Sequence, residues 1–119
     1  MLNAKDDRFP EFGKTYREIR EHLEFTLEQY SELKIYAESK GLDFMVTAFD
    51  TVAVDFLEEL GCPAYKIASF EAVDLALVRK AALTGKPVIV STGMVTVEEI
   101  EHIKENARDY VENFKKYKK

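Results

Sequence analysis

The sequence predicts an α/β fold of parallel βα units, and three observations predict it. Short apolar runs begin near residues 44, 64 and 87, roughly one βα unit apart. The segments between and after them place apolar residues at helical spacing. Each helical segment also carries its own start and stop signals, so the order reads helix, strand, helix, strand, helix, strand, helix. That order fits three parallel strands joined by helical crossovers.

Taken in order, residues 1–14 are polar, with Pro10 and Gly13 as breakers, and read as an irregular lead-in. No composition shift interrupts the periodicity after that, so residues 15–119 read as a single domain. A short helix runs from Thr15 to about Leu23. Thr26, with Gln29 three residues on, makes a capping box that opens a second helix. Its broad apolar face comprises Leu27, Tyr30, Leu33, Ile35, Tyr36 and Ala37, and Gly41 ends it. Residues 44–49 form the first strand.

Asp50 then caps a helix from about Thr51 to Leu60, with Gly61 and Pro63 as stops. Residues 64–68 are the second strand. Asp74 caps a helix carrying Leu75, Val78, Ala82 and Leu83, which Gly85 and Pro87 stop before a third strand at 87–90. Thr96 and Glu99 form another capping box. The last helix extends towards the C-terminus with Ile100, Ile103, Ala107, Tyr110, Val111, Phe114 and Tyr117 on one face and residues 115–119 as a solvated end.

Composition narrows the function classes. A formal charge of -5 argues against nucleic acid, whose phosphates want a basic face. No run approaches the ~20 apolar residues of a membrane span, and the start lacks a signal-peptide core, so neither a membrane nor export is expected. One cysteine, Cys62, excludes an internal disulfide framework and suits a reducing, cytoplasmic setting, where it is a small packed side chain. One domain of this length is short for a closed barrel, which typically takes about 250 residues.

The chemistry concentrates at the strand ends. A lysine, Lys66, sits among apolar neighbours in the second strand, which is costly unless something anionic meets it. Thr47, Ser69 and Ser91 fall at the ends of the three strands, the side on which parallel sheets bind ligands. A cation and hydroxyl donors there suit a phosphate. Plainer readings stand beside this one. The Lys66 stem could pack while its amine reaches solvent, the hydroxyls could cap the following loops, and Glu71 could be a solvated loop carboxylate. A Schiff-base lysine is a further alternative.

The runs GLDFMVTAFD, AVDFLEELGCPAYKIASFE and TGKPVIVSTGMVTVEEIE occur in an order and spacing that resembles the sialic acid synthase family, which makes nine-carbon nonulosonic acids. KTYREIREHLEFTLEQYSEL looks like the lead-in to the third barrel strand of that family. The resemblance covers about Lys14 to Glu101 and implies that the three strands are the third, fourth and fifth of a TIM-type (β/α)8 barrel, a partial barrel with four or five helices. It implies a transferase that condenses phosphoenolpyruvate with an N-acylated amino sugar of the N-acetylmannosamine type, releasing phosphate by C–O cleavage. Carried over by motif, Lys66 meets the phosphoenolpyruvate anion, Thr47, Ser69 and Ser91 donate to its phosphate, and Glu71 is the catalytic candidate facing the sugar.

The departures are informative. Ala48 replaces a proline common in the family, Phe70 stands where many members have glycine, and Asp74 where they often have asparagine. SFE looks more like the pseudaminic and legionaminic acid synthases. The family uses a divalent metal, manganese or magnesium, in the complete enzyme. Its metal-binding histidines, its first-strand glutamate and second-strand lysine, and its C-terminal antifreeze-like domain have no counterpart here. His22 and His102 match no metal motif, so no metal is expected on this chain alone. The expectation is therefore an incomplete, inactive part, assembled as a homo-oligomer or with a complementing subunit. The alternatives are a non-catalytic assembly protein and another phosphoenolpyruvate-dependent aldulosonate synthase.

Overall fold

The structure is a computed structural model that describes residues 3–117, the side chain of Tyr117 excepted. It divides into two compact units, Met1–Leu33 and Lys34–Lys119. The positions expected for the Tyr117 side chain and for residues 118 and 119 lie outside the described residues.

In the first unit, residues 3–14 make turns closed by backbone bonds. Lys5 bridges antiparallel to Thr15, and the Asp6 N–H donates to the Lys14 carbonyl at 3.1 Å. The hydrogen-bonded Arg8 guanidinium holds the Asp6 carboxyl down at about 2. Helix α1 (Tyr16–Leu23) starts on a capping box: the Glu18 N–H donates to the Thr15 hydroxyl at 3.3 Å, and the Thr15 N–H donates back to the Glu18 carboxylate at 3.2 Å.

Helix α2 (Leu27–Ser39) has the expected box, with the Thr26 N–H 2.8 Å from Gln29 Oε1. Its broad apolar face does not become a buried one, since no residue of α2 is buried. The reason is angular. At about 100° per residue, positions 33, 35, 36 and 37 point in diverging directions, so no one surface can cover them. Ile35 is 67% and Tyr36 65% exposed.

The second unit holds the sheet. Its elements are β1 (Thr47–Ala48), α3 (Thr51–Leu60), β2 (Tyr65–Ile67), a 3₁₀ turn (Ser69–Glu71), α4 (Leu75–Leu83), β3 (Val88–Val90) and α5 (Val97–Tyr117). The strands are parallel and lie in the order β1-β2-β3. All three are shorter than the apolar runs that predicted them. Pairing needs a partner opposite, and three-residue β2 limits how far either neighbour can ladder.

Caps set the helix ends. The Ala53 N–H donates to Asp50 Oδ1 at 2.7 Å, starting α3, and the Leu77 N–H donates to Asp74 Oδ1 at 3.1 Å, starting α4. Gly61 ends α3 at φ 74°, a left-handed conformation that suits a residue without Cβ, and the Cys62 N–H then reaches back to the Leu57 carbonyl.

The core lies on one side of this sheet. Ala48, Tyr65 and Ile67 are fully buried, together with Val54 and Leu57 of α3 and Leu77 and Ala81 of α4. Burying an aliphatic or aromatic side chain of this size contributes roughly 1.5–3 kcal/mol. Helix α4 packs against α3 and α5. Lys80 bridges to Asp55 at 2.8 Å, and Arg79 donates to Asn106 at 2.7 Å while its guanidinium lies 5.1 Å from the Tyr110 ring. Cys62 is buried, and burial pushes its thiol up.

Candidate functional site

Strand alternation decides which way Lys66 points. Its neighbours Tyr65 and Ile67 face the helices, so Lys66 faces the opposite side of the sheet. Its register partners are Thr47 on β1 and Ile89 on β3. The three residues form one row across the face that no helix core occupies, and Ile89 is 49% exposed there. The sequence placed Lys66 in a buried strand. The structure places it in a half-buried position on the open face.

The hydroxyls gather at the C-terminal edge. The Ser91 N–H donates to the Ile67 carbonyl at 3.1 Å, which holds Ser91 beside the end of β2, two residues before Ser69. The chain then bends through the 3₁₀ turn. The Glu71 N–H donates to the Ala68 carbonyl at 3.1 Å and the Asp74 N–H to the Glu71 carbonyl at 2.9 Å, while fully buried Ala72 anchors the turn below. Ser69 and Glu71 thus leave a fixed backbone, although the sequence reading had no turn here.

Their side chains are uncommitted. Among the described residues, Thr47, Ser69, Ser91, Lys66 and Glu71 make no side-chain hydrogen bond or ion pair. Two other hydroxyls of the unit are satisfied locally, Ser39 donating to the Tyr36 carbonyl at 2.6 Å and Thr84 to the Ala81 carbonyl at 2.7 Å. Asp74 is spent on its cap. The arrangement is one cation, three free hydroxyls and one free carboxylate on neighbouring strands, a set able to receive an oxyanion.

Two features escaped the sequence reading. Phe49 and Phe70 bring their rings to 5.9 Å between centroids at the ends of β1 and β2. Residues 21 apart give no sequence signal for such a pair. At the other end of the strands, Glu58 accepts from both the Tyr65 hydroxyl and the Lys86 ammonium, the latter at 2.6 Å. Lys86 first, then Tyr65, holds the Glu58 carboxyl below its usual range. Burial, reinforced by Glu58, raises the Tyr65 hydroxyl. This cluster at the N-terminal strand ends is structural, on the side where barrel residues serve stability.

Among the described residues no group of three or more His, Cys, Asp or Glu side chains could hold an ion. His22 stacks on Phe12 at 4.9 Å, and His102 is exposed on α5. No helix is long and apolar enough to cross a membrane among the described residues.

Three parallel βα units with their helices on one side are part of a (β/α)8 barrel of the sialic acid synthase type. The chain belongs to the NeuB family, whose model matches residues 3–114. It is 36% identical over 103 residues to the N-acetylneuraminate-9-phosphate synthase of Homo sapiens, covering 87% of this chain and 29% of that protein. It is 40% identical over 105 residues to the pseudaminic acid synthase of Helicobacter pylori, covering 84% of this chain and 31% of that one. The crystal structure of the N-acetylneuraminic acid (sialic acid) synthetase of Leptospira borgpetersenii, in complex with citrate, matches with a TM-score of 0.73 at 28% identity, over 86% of this chain and 36% of that chain. The chain spans well under half the length of the relatives it matches.

Proposed function

We propose that this chain supplies the phosphate-binding arc of a nonulosonic acid synthase, which condenses phosphoenolpyruvate with an N-acylated amino sugar. In that reaction C3 of phosphoenolpyruvate bonds to the aldehyde carbon of the sugar, water adds at C2, and the C–O bond to phosphate breaks. Lys66 carries the reading, as an unpaired lysine on an open sheet face, in register with Thr47 and next to two uncommitted serines. In this reading the ammonium neutralises the phosphoenolpyruvate anion, and Thr47, Ser69 and Ser91 donate to its phosphate oxygens. Donors fixed before the ligand arrives need little reorganisation as charge moves to the departing phosphate. Glu71 faces the sugar, where a carboxylate can exchange a proton with the aldehyde oxygen.

The divalent metal of the family is part of the proposal for a complete enzyme; among the described residues no three His, Cys, Asp or Glu side chains gather to hold it. A cytoplasmic setting belongs to the same proposal. So does assembly as a homo-oligomer or with a complementing polypeptide, which the open sheet face and the unpaired outer edges of β1 and β3 favour among the described residues.

Calorimetric titration of the 119-residue chain with phosphoenolpyruvate tests the site. Lys66→Ala is expected to weaken binding by about 1.5–3 kcal/mol, roughly 10–150-fold, the worth of a charge-assisted contact. Ser69→Ala and Ser91→Ala should each cost about 1 kcal/mol or less, non-additively because they share one ligand. Unchanged affinity in Lys66→Ala rejects the anion role. A manganese-supplemented assay, run beside the mass in solution, tests the assembly. Robust turnover by a monomer overturns the incomplete-barrel reading, and turnover restored by a second polypeptide supports it.

A further inference from the structure

We infer that Asp74 is a positioning residue for the site, holding the Ser69–Glu71 turn in the shape that presents the Ser69 hydroxyl and the Glu71 carboxylate. This rests on the synthase reading above and names what keeps two of its groups in place. The turn has little hold of its own. A three-residue 3₁₀ turn closes on few bonds of imperfect geometry. Here the Glu71 N–H donates to the Ala68 carbonyl at 3.1 Å, and the Ala72 N–H reaches the Ser69 carbonyl only at 3.4 Å.

Asp74 anchors the turn from its far side, using backbone and side chain for different tasks. Its N–H donates to the Glu71 carbonyl at 2.9 Å, the shortest of the three bonds. Its Oδ1 accepts the N–H groups of Ala76 at 3.0 Å and Leu77 at 3.1 Å, and its carbonyl accepts from Val78 at 3.0 Å. Leu77 and Val78 are buried, as is Ala72 beneath the turn. A hydrogen-bonded path therefore runs from the end of β2 through the turn to a packed helix, and its last bonds all end on Asp74.

The side chain is what makes that junction firm. Without it the first amides of α4 lose their acceptor, and the residue joining turn to helix keeps only backbone bonds. Among the described residues the Ser69 and Glu71 side chains bond to nothing that would resist a shift, which leaves the packed Ala72 methyl as the other anchor. A hydroxyl displaced by about 1 Å loses much of its worth to a bound anion. Asparagine offers the same acceptor oxygen at a helix start, so the role belongs to the acceptor and not to the charge.

Amide hydrogen exchange and phosphoenolpyruvate calorimetry on the full 119-residue chain test this. In Asp74→Ala the Glu71 and Ala72 amides should exchange about 5-fold faster, the worth of one lost cap. Phosphoenolpyruvate affinity should fall about 2–5-fold, no more than Ser69→Ala itself costs. Because Asp74 acts through Ser69, adding Ser69→Ala to Asp74→Ala should cost nothing further. Asp74→Asn should keep both readouts at those of the unmodified chain. Gly61→Ala, which destabilises the opposite end of the strands, should move neither, and so separates a loosened turn from a general loss of stability. Should Asp74→Ala fail to fold, Asp74→Gly removes the acceptor at smaller cost. Unchanged exchange in the folded variant, an asparagine variant as loose as alanine, equal acceleration in Gly61→Ala, or additive losses from Ser69→Ala and Asp74→Ala each overturn the positioning role. Failure of the unmodified chain to bind phosphoenolpyruvate sinks the Lys66 reading, and the exchange pattern then decides by itself whether Asp74 holds the turn.

Discussion

Lys66 and Lys86 lie in the same sheet region and play opposite parts. Lys86 is matched to Glu58, whereas Lys66 has no carboxylate among the described residues. Lys66→Met, which keeps the stem and removes the charge, should therefore change unfolding stability by less than about 0.5 kcal/mol in urea titrations while abolishing the anion contact. The Glu58 cluster should instead govern how stability depends on pH. The folded Glu58 carboxyl lies below its usual value, so its contribution is present above that value and is lost as pH falls through the folded one. The folded Tyr65 hydroxyl lies above its usual value of about 10, so its contribution is present below that pH and is lost as pH rises beyond it. Tyr65→Phe should cost about 1 kcal/mol at neutral pH, discounted because Glu58 is half in water, and less once acid protonates Glu58. Denaturant titrations of both chains at pH 3 and pH 7 check the narrowing. A gap of equal size at both pH values would count against the ionic character of the bond.

At the scale of elements, the caps make the sharpest predictions. Asp50→Ala and Asp74→Ala should each lower stability by about 1 kcal/mol, since each leaves the first turn of a buried helix short of an acceptor. Gly61→Ala should cost about 1 kcal/mol through its left-handed backbone alone, because nothing within 4 Å would meet the new Cβ. Thermal melts of the three variants measure these costs. The same elements show what was legible. Helix starts are written in side chains that bond within three residues, so Asp50, Asp74, Thr26 and Thr96 could be read directly. Thr15 and Glu18 spell the same box and could have been. Strand extents were overestimated because apolar runs report burial, while pairing depends on what lies opposite. The 3₁₀ turn, the Phe49–Phe70 pair and the Glu58–Tyr65–Lys86 cluster depend on tertiary approach, which no local spacing encodes. Lys66 stands out in the sequence as a lysine within an apolar run, but only the register shows it beside Thr47 and on the open face.

At the scale of the whole molecule, the sheet buries one face and leaves Lys66 and half-exposed Ile89 on the other. Such a face favours association, so sedimentation velocity should show mass rising with concentration, and Ile89→Lys should suppress the rise. A concentration-independent monomer would count against it. The strand order carries another consequence. Strands that lie in space as they lie in the chain close only short loops, and each unit docks on the one made just before it. A chain growing from the ribosome can therefore pair β2 with β1 before β3 has been synthesised. Assembly then proceeds vectorially from the N-terminal side of the sheet, without waiting for a distant strand to return.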